Sequence, residues 1–524
     1  MAKIAFILLT HKDPEGVISQ ARRLSSEGDF VSIHFDARAS QADFARIQTA
    51  LADDPAITFA RRRVKCGWGE WSLVAATLEA LKAAVDAFPQ ATHFYMISGD
   101  CLPIKTAEYV HDFLDAEDVD YIESVDFFTS GWIKTGMRED RLIYRHVFNE
   151  RQSKWLFYKT YEIQRALGMT RKVPEDLQMM IGSQWWCLRR QTVEAVLEFC
   201  RARPAVMRFF KTTWIPDETF FQTLVRHLVP DREIRSRTPT FLMFTDYGMP
   251  VTFYNDHYDL LLGQDFLFAR KISPDAADLK TRLGALWHET ARAFSISGEG
   301  RALYSFLTGR GRIGRRFVPR FWEVESSLGR ERTLYVVVCK KWHVAKRLVE
   351  QAGARAGIPR VEYLFNELCP LPALGGIETT LSKRNRHRRA LLRMLFDYHR
   401  TDRLLICVDP AEFELLRDLS ADRVDARILE IECDFTDDYL IGHARRVGLA
   451  GEQSPAGVIA RLLPTIRFDL KFESDRMRDA GFPAFEHIRQ GATPRENALP
   501  IARFLGVDRD LAHEIAATEY LFLD

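Results

Sequence analysis

Ten residues, Trp214-Ile215-Pro216-Asp217-Glu218-Thr219-Phe220-Phe221-Gln222-Thr223, place two adjacent carboxylates directly ahead of an apolar run. Pro216 just inside a helix start, with Asp217 and Glu218 in the first turn, predicts a helix whose positive dipole end holds acids and can present one of them to a pocket. One acid so placed suits general-base work on a hydroxyl. Taken alone, the ten residues favour the plainer role of capping and solubilising a helix.

Elements that must position such an acid follow from hydrophobic patterning. Lys3 to Thr10 predicts a buried strand, Asp13-Pro14 the start of a helix with apolar Val17, Ile18, Ala21 and Leu24, and Phe30 to Asp36 a second strand. His11 and Asp36 then fall at the carboxyl ends of strands, where open α/β sheets bind ligands. The turn Cys66-Gly67-Trp68-Gly69-Glu70-Trp71-Ser72 precedes a helix over Val74 to Val85, with Ser72 the expected N-cap. Thr92 to Ser98 reads as a further strand leading into Ser98-Gly99-Asp100-Cys101-Leu102-Pro103. The acids between Asp115 and Asp120 read as solvated charges in a loop.

The Pro-Asp-Glu stretch, together with Gly182-Ser183-Gln184-Trp185-Trp186 upstream, resembles the core-2/I-branching β-1,6-N-acetylglucosaminyltransferases and the related peptide O-xylosyltransferases, glycosyltransferase family 14. The family pairs a Gly-Ser-x-Trp/Tyr strand with a Pro-Asp-Glu motif. The resemblance covers about residues 1–275 and extends to His11-Lys12, Ile33-His34-Phe35-Asp36, Trp68-Gly69, Ser98-Gly99-Asp100 and Leu267-Phe268-Ala269-Arg270-Lys271. It implies a GT-A-like nucleotide-sugar transferase domain with Glu218 as the catalytic base. It implies donor contacts at Leu9, Thr10, His11, Asp36, Arg38, Trp68, Gly69, Asp100, Arg270 and Lys271, and acceptor contacts at Tyr144, Arg145, Ser183, Trp185 and Asp217. Asp100 falls one residue earlier than the family acid. A second family base has no match near Thr245 to Gly248, and Arg235 or Arg237 are the substitutes in range.

The activity so implied is inverting transfer of N-acetylglucosamine from a UDP-sugar to a glycan hydroxyl, with no cofactor and no metal. No Asp-x-Asp pair stands at the strand-end loop, so Lys271 and Arg270 are expected to do a metal's work on the diphosphate. Transfer of xylose is the nearest alternative, and a non-catalytic glycan-binding or assembly protein on the same scaffold is the alternative from another class.

Length and composition frame this reading. At 524 residues, 47% hydrophobic and 28% charged, the chain is long enough for two soluble domains. A net charge of +1 gives no argument for nucleic acid. Eight scattered cysteines without a CxxC pair point to reduced, buried thiols. The apolar run after Met1 is broken by His11 and Lys12, so neither an anchor nor a cleaved leader is expected. Animal members of the resembled family carry a membrane anchor and a lumenal stem, and the expected lack of both suggests a bacterial cytoplasmic enzyme, with peripheral attachment to the inner membrane or a glycan-assembly complex left open, and oligomeric state open too.

Residues 276–330, with the Gly-Arg stretch Gly309 to Arg316, read as a helical linker. Beyond it, strands at Leu334–Cys339, Val361–Phe365, Leu404–Asp409 and Ile428–Cys433 alternate with helices. They predict a second, smaller parallel α/β domain over 331–524 of unassigned function. The basic run Lys383 to Arg389 is expected to be a solvated helix face, with phosphate, nucleotide or anionic membrane binding as the alternative.

Overall fold

A computed structural model describes all residues except 134–135, 244–249, 299–326, 375 and 524. The chain forms two compact units: Met1–Phe253 with Leu260–Gly300, and Tyr254–Asp259 with Arg301–Asp524. The Gly-Arg stretch and Thr245 to Gly248 lie outside the described residues.

The first unit is built on a seven-stranded sheet in the order Ile234–Arg235, Asp120–Tyr121, Cys187–Arg189, His93–Ser98, Ile4–Thr10, Phe30–Phe35, Ile57–Phe59. Its central strands run parallel, Ile4–Thr10 between Phe30–Phe35 and His93–Ser98, while Cys187–Arg189 is antiparallel. Nearly every residue of the three parallel strands is buried, as a sheet covered on both faces requires. Asp13 caps the helix Pro14–Ser25 by accepting from the Gly16 N–H at 3.0 Å, with Pro14 in its first turn.

Two local expectations change. The helix after the Trp68 turn spans Trp71–Ala87 with Glu70 at its N-cap; Ser72 lies inside it, where its hydroxyl accepts from the Gly67 N–H at 2.8 Å and donates to Glu70. Asp120 is fully buried rather than solvated. It accepts from the Arg189 guanidinium and the Thr192 hydroxyl at 3.0 and 2.7 Å, a charge withdrawn from water only because it is paired.

The second unit holds a five-stranded, all-parallel sheet in the order Arg360–Val361, Arg403–Val408, Thr333–Val338, Asp425–Glu432, Phe485–Arg489. Helices pack on both faces, giving separate apolar layers. The strand expected over Val361–Phe365 is only Arg360–Val361; beyond it Tyr363, Leu364 and Phe365 are buried in turns, an apolar signal without extended pairing. The basic run is not a solvated face. Arg384 and Arg389 are 2% exposed, the first spent on loop carbonyls and the second on three aspartates.

Candidate functional site

At the carboxyl ends of the central strands of the first unit lies a cleft of about 670 Å³. Leu9, Thr10 and His11 line it from the first strand, Asp36 from the second, Trp68 from the turn before Trp71–Ala87, and Asp100 from the loop after His93–Ser98. Arg270, Lys271, Trp185 and Asp217 complete the lining among the expected residues. Sheet order explains the gathering: parallel neighbours end on the same edge, so residues far apart in sequence meet there.

The cleft is cationic and internally braced. Asp36 Oδ1 accepts from the Arg38 and Cys66 N–H groups at 2.7 and 3.3 Å, which fixes its carboxylate. His34, two residues earlier, accepts from the Val64 N–H, and burial pulls its imidazole down to about 4, so it is neutral. Asp100 stands between two lysines, 3.2 Å from Lys12 and 3.7 Å from Lys271. The early acid thus orients the lysine expected to meet a diphosphate. The Arg270 guanidinium lies 4.1 Å from the Trp185 ring centroid, and its buried Nε has no hydrogen-bond partner among the described residues. Such a stacked cation keeps its donors available for an anion.

The Pro-Asp-Glu segment departs from the expected α-helical turn. Pro216–Glu218 is a single 3₁₀ turn, and the α-helix begins only at Phe220. Ile215 sits at φ 52°, ψ 57°, a left-handed conformation that costs a β-branched residue about 1–2 kcal/mol. Its N–H is held by the Gly69 carbonyl at 3.0 Å and its own carbonyl accepts from Glu218. The surroundings therefore impose this turn. Gly182 donates to the Glu218 carbonyl at 2.9 Å and approaches Glu123 so closely that a Cβ would lie 1.9 Å from its carbonyl oxygen, which explains the glycine of the Gly-Ser-x-Trp stretch.

Glu218 Oε2 accepts from Arg141 Nη1 at 3.0 Å. Burial pushes the Glu218 carboxyl up, Arg141 opposes it, and the outcome is about 7. Asp217, raised to about 6 by burial, faces the cleft with Oδ1 buried and without a hydrogen-bond partner among the described residues. Arg141, which sequence reading missed, is buried, stacks over Trp214 at 5.1 Å and donates through Nε to the Met137 carbonyl.

Other expected residues stand apart. Glu218, Arg38, Gly69, Ser183, Tyr144 and Arg145 do not line the cleft itself. Ser183 is held by Glu123 and Gln222 through its backbone. Tyr144 is buried against Tyr161, and the Arg145 backbone pairs with the Gln164 amide. Arg235 and Arg237 pair with Glu117 and Asp265 and also lie off the cleft. Among the described residues no group of three or more His, Cys, Asp or Glu side chains is spaced to hold a metal ion.

A near-neutral carboxylate at the edge of a cation-lined, strand-end cleft is what a domain needs to transfer a group from an anionic donor to a hydroxyl. Residues 4–253, just under half of the chain, match the family model of the Core-2/I-Branching enzyme, so this region is similar to glycosyltransferases of that kind. Residues 270–524 match a model described as a family of unknown function, DUF5928. The chain is 23% identical over 227 residues to a mouse β-1,3-galactosyl-O-glycosyl-glycoprotein β-1,6-N-acetylglucosaminyltransferase 3, and 22% identical over 228 residues to the cattle protein of the same name. These alignments cover 43% of this chain and 47% of each relative, so the chain spans about half the length of the curated relatives it matches.

Proposed function

We propose that the N-terminal unit transfers N-acetylglucosamine from UDP-N-acetylglucosamine to a sugar hydroxyl of a bacterial glycan, of the β-1,6 branching type, with inversion and without a metal ion. The observation that carries this reading is the Glu218 carboxyl, held near 7 beside a cleft whose cations include Lys12, Arg270 and Lys271. In the reaction the acceptor oxygen bonds to the anomeric carbon as the bond from that carbon to the diphosphate breaks. The hydroxyl proton passes to Glu218, and the charge on the departing UDP is met by Lys271 and Arg270. Asp100 holds Lys271 until the diphosphate takes its place. The names of the relatives support N-acetylglucosamine over xylose as the donor sugar.

Two experiments bear on this directly. Calorimetric titration in EDTA is expected to show binding of UDP and of UDP-N-acetylglucosamine, with transfer to a glycan acceptor retained under chelation. Tighter binding of UDP-xylose would change the donor, binding of none would remove the enzyme reading, and restoration by Mg²⁺ or Mn²⁺ would misplace the diphosphate contacts. A base must be ionised to act, so turnover is expected to rise with pH through about 7. Arg141→Gln removes the cation that favours the carboxylate, and the acidic limb is expected to move up by about one unit. A limb that stays in place while activity falls uniformly would reduce Arg141 to a packing role.

A further inference from the structure

The helix Lys154–Ala166 has one fully buried side chain, Phe157, which packs on Trp214 close to the Pro-Asp-Glu turn. Its outer face is open. At 100° per residue, Trp155, Ile163 and Leu156 fall within one arc of that face, and Leu167 continues it. Their exposures are 72%, 46%, 38% and 68%, large apolar groups of a kind that a soluble surface rarely gathers in one place. Lys159 lies within the arc, and Lys154 and Arg165 flank it with Glu162; all four are exposed.

Charge separates this segment from the rest of the protein. Residues 145–172 hold seven Lys or Arg against two Glu, a net +5, in a chain whose total is +1, so the remainder sums to −4. Apolar groups led by a tryptophan, rimmed by lysine and arginine, are the composition of a helix lying in the interface of an anionic bilayer. A protein partner would more often meet fewer lysines at the centre of the patch. No helix among the described residues is long and apolar enough to cross a membrane, so attachment here would be from one side.

We propose that the outer face of Lys154–Ala166 docks the N-terminal unit onto an anionic lipid surface. Arg151 lines the cleft and stacks at 4.1 Å on Trp68, so the basic segment reaches the cleft wall. A lipid-linked acceptor would therefore meet the site from the bilayer; that consequence rests on the proposed transfer, whereas the docking itself does not.

The test is co-sedimentation of the full chain with vesicles of phosphatidylcholine alone and with one third phosphatidylglycerol. Binding is expected on the anionic vesicles at low salt and is expected to be lost at high salt. Trp155→Ser with Leu167→Ser, and separately Lys154→Glu with Lys159→Glu, should each weaken it on the order of tenfold or more while leaving thermal unfolding and UDP binding unchanged. No binding by the parent, or equal binding by both variants, overturns the proposal. So does a dimer, seen by sedimentation velocity without vesicles, that the Trp155 variant dissolves, since the face would then belong to a second copy. Vesicle binding without glycosyl transfer leaves the docking in place and removes only the enzyme reading.

Discussion

Glu218→Gln is expected to bind UDP-N-acetylglucosamine as the parent does and to lose turnover by about a hundredfold to ten-thousandfold, the usual contribution of a general base. The amide has the size of the carboxyl and its oxygen can still accept from Arg141, so the side chain keeps its place. The turn is set by backbone groups that the substitution leaves alone: Gly182 donating to the Glu218 carbonyl, Ile215 donating to Gly69, and Glu218 donating to Ile215. What disappears is the ability to take a proton. Asp217→Asn provides the comparison, because Asp217 faces the cleft while Glu218 lies on Arg141. Its removal is expected to act chiefly on substrate affinity. If Asp217→Asn lost turnover as deeply and Glu218→Gln did not, the base would be Asp217. Near-normal turnover in both would end the carboxylate mechanism.

The parallel strands were legible because each is a short apolar run bounded by turn residues, and the strand-end residues His11, Asp36 and Asp100 followed from them. Arg141 was not, because an arginine's partner 77 positions away leaves no periodic mark in the sequence. The 3₁₀ turn at Pro216–Glu218 was read as α-helix for a related reason: local preference allows either, and the close approach of Gly69 and Gly182 decides. In the second unit the alternation of strand and helix carried through to Asp437–Arg446, but Ala456–Asp479, Phe485–Arg489, Pro494–Leu505 and Arg509–Ala516 were not drawn from it. Phe485–Arg489 is only partly buried, so it lacks the continuous apolar run that marked its neighbours. The run Lys383 to Arg389 misled most, since charge density normally means solvent and here two of its arginines are interior.

Those interior charges carry the second large expectation. Arg389 is 2% exposed and meets three carboxylates of its own unit: Asp256, Asp418 at 2.8 Å and Asp422 at 2.8 Å, with its guanidinium 4.7 Å from the Tyr254 ring centroid. Arg388 adds a second cation on Asp418 at 2.8 Å. Burial alone would push the Asp256 carboxyl up, but the Arg389 charge prevails and holds it well below the usual carboxylate range. Replacing Arg389 by Met would strand these acids without their main cation. Breaking a buried pair from one side costs about 3–5 kcal/mol, so the variant is expected to unfold at markedly lower denaturant. Arg389→Lys keeps the charge but not the fork that reaches three acids, and should fall between. A folded carboxyl held low contributes stability that is complete above its unfolded value near 3.8 and fades as pH falls through its folded value. The parent should therefore lose stability from below about pH 4 downward. An Arg389→Met protein within 1 kcal/mol of the parent in urea would mean that the Arg389 charge does not hold this cluster together.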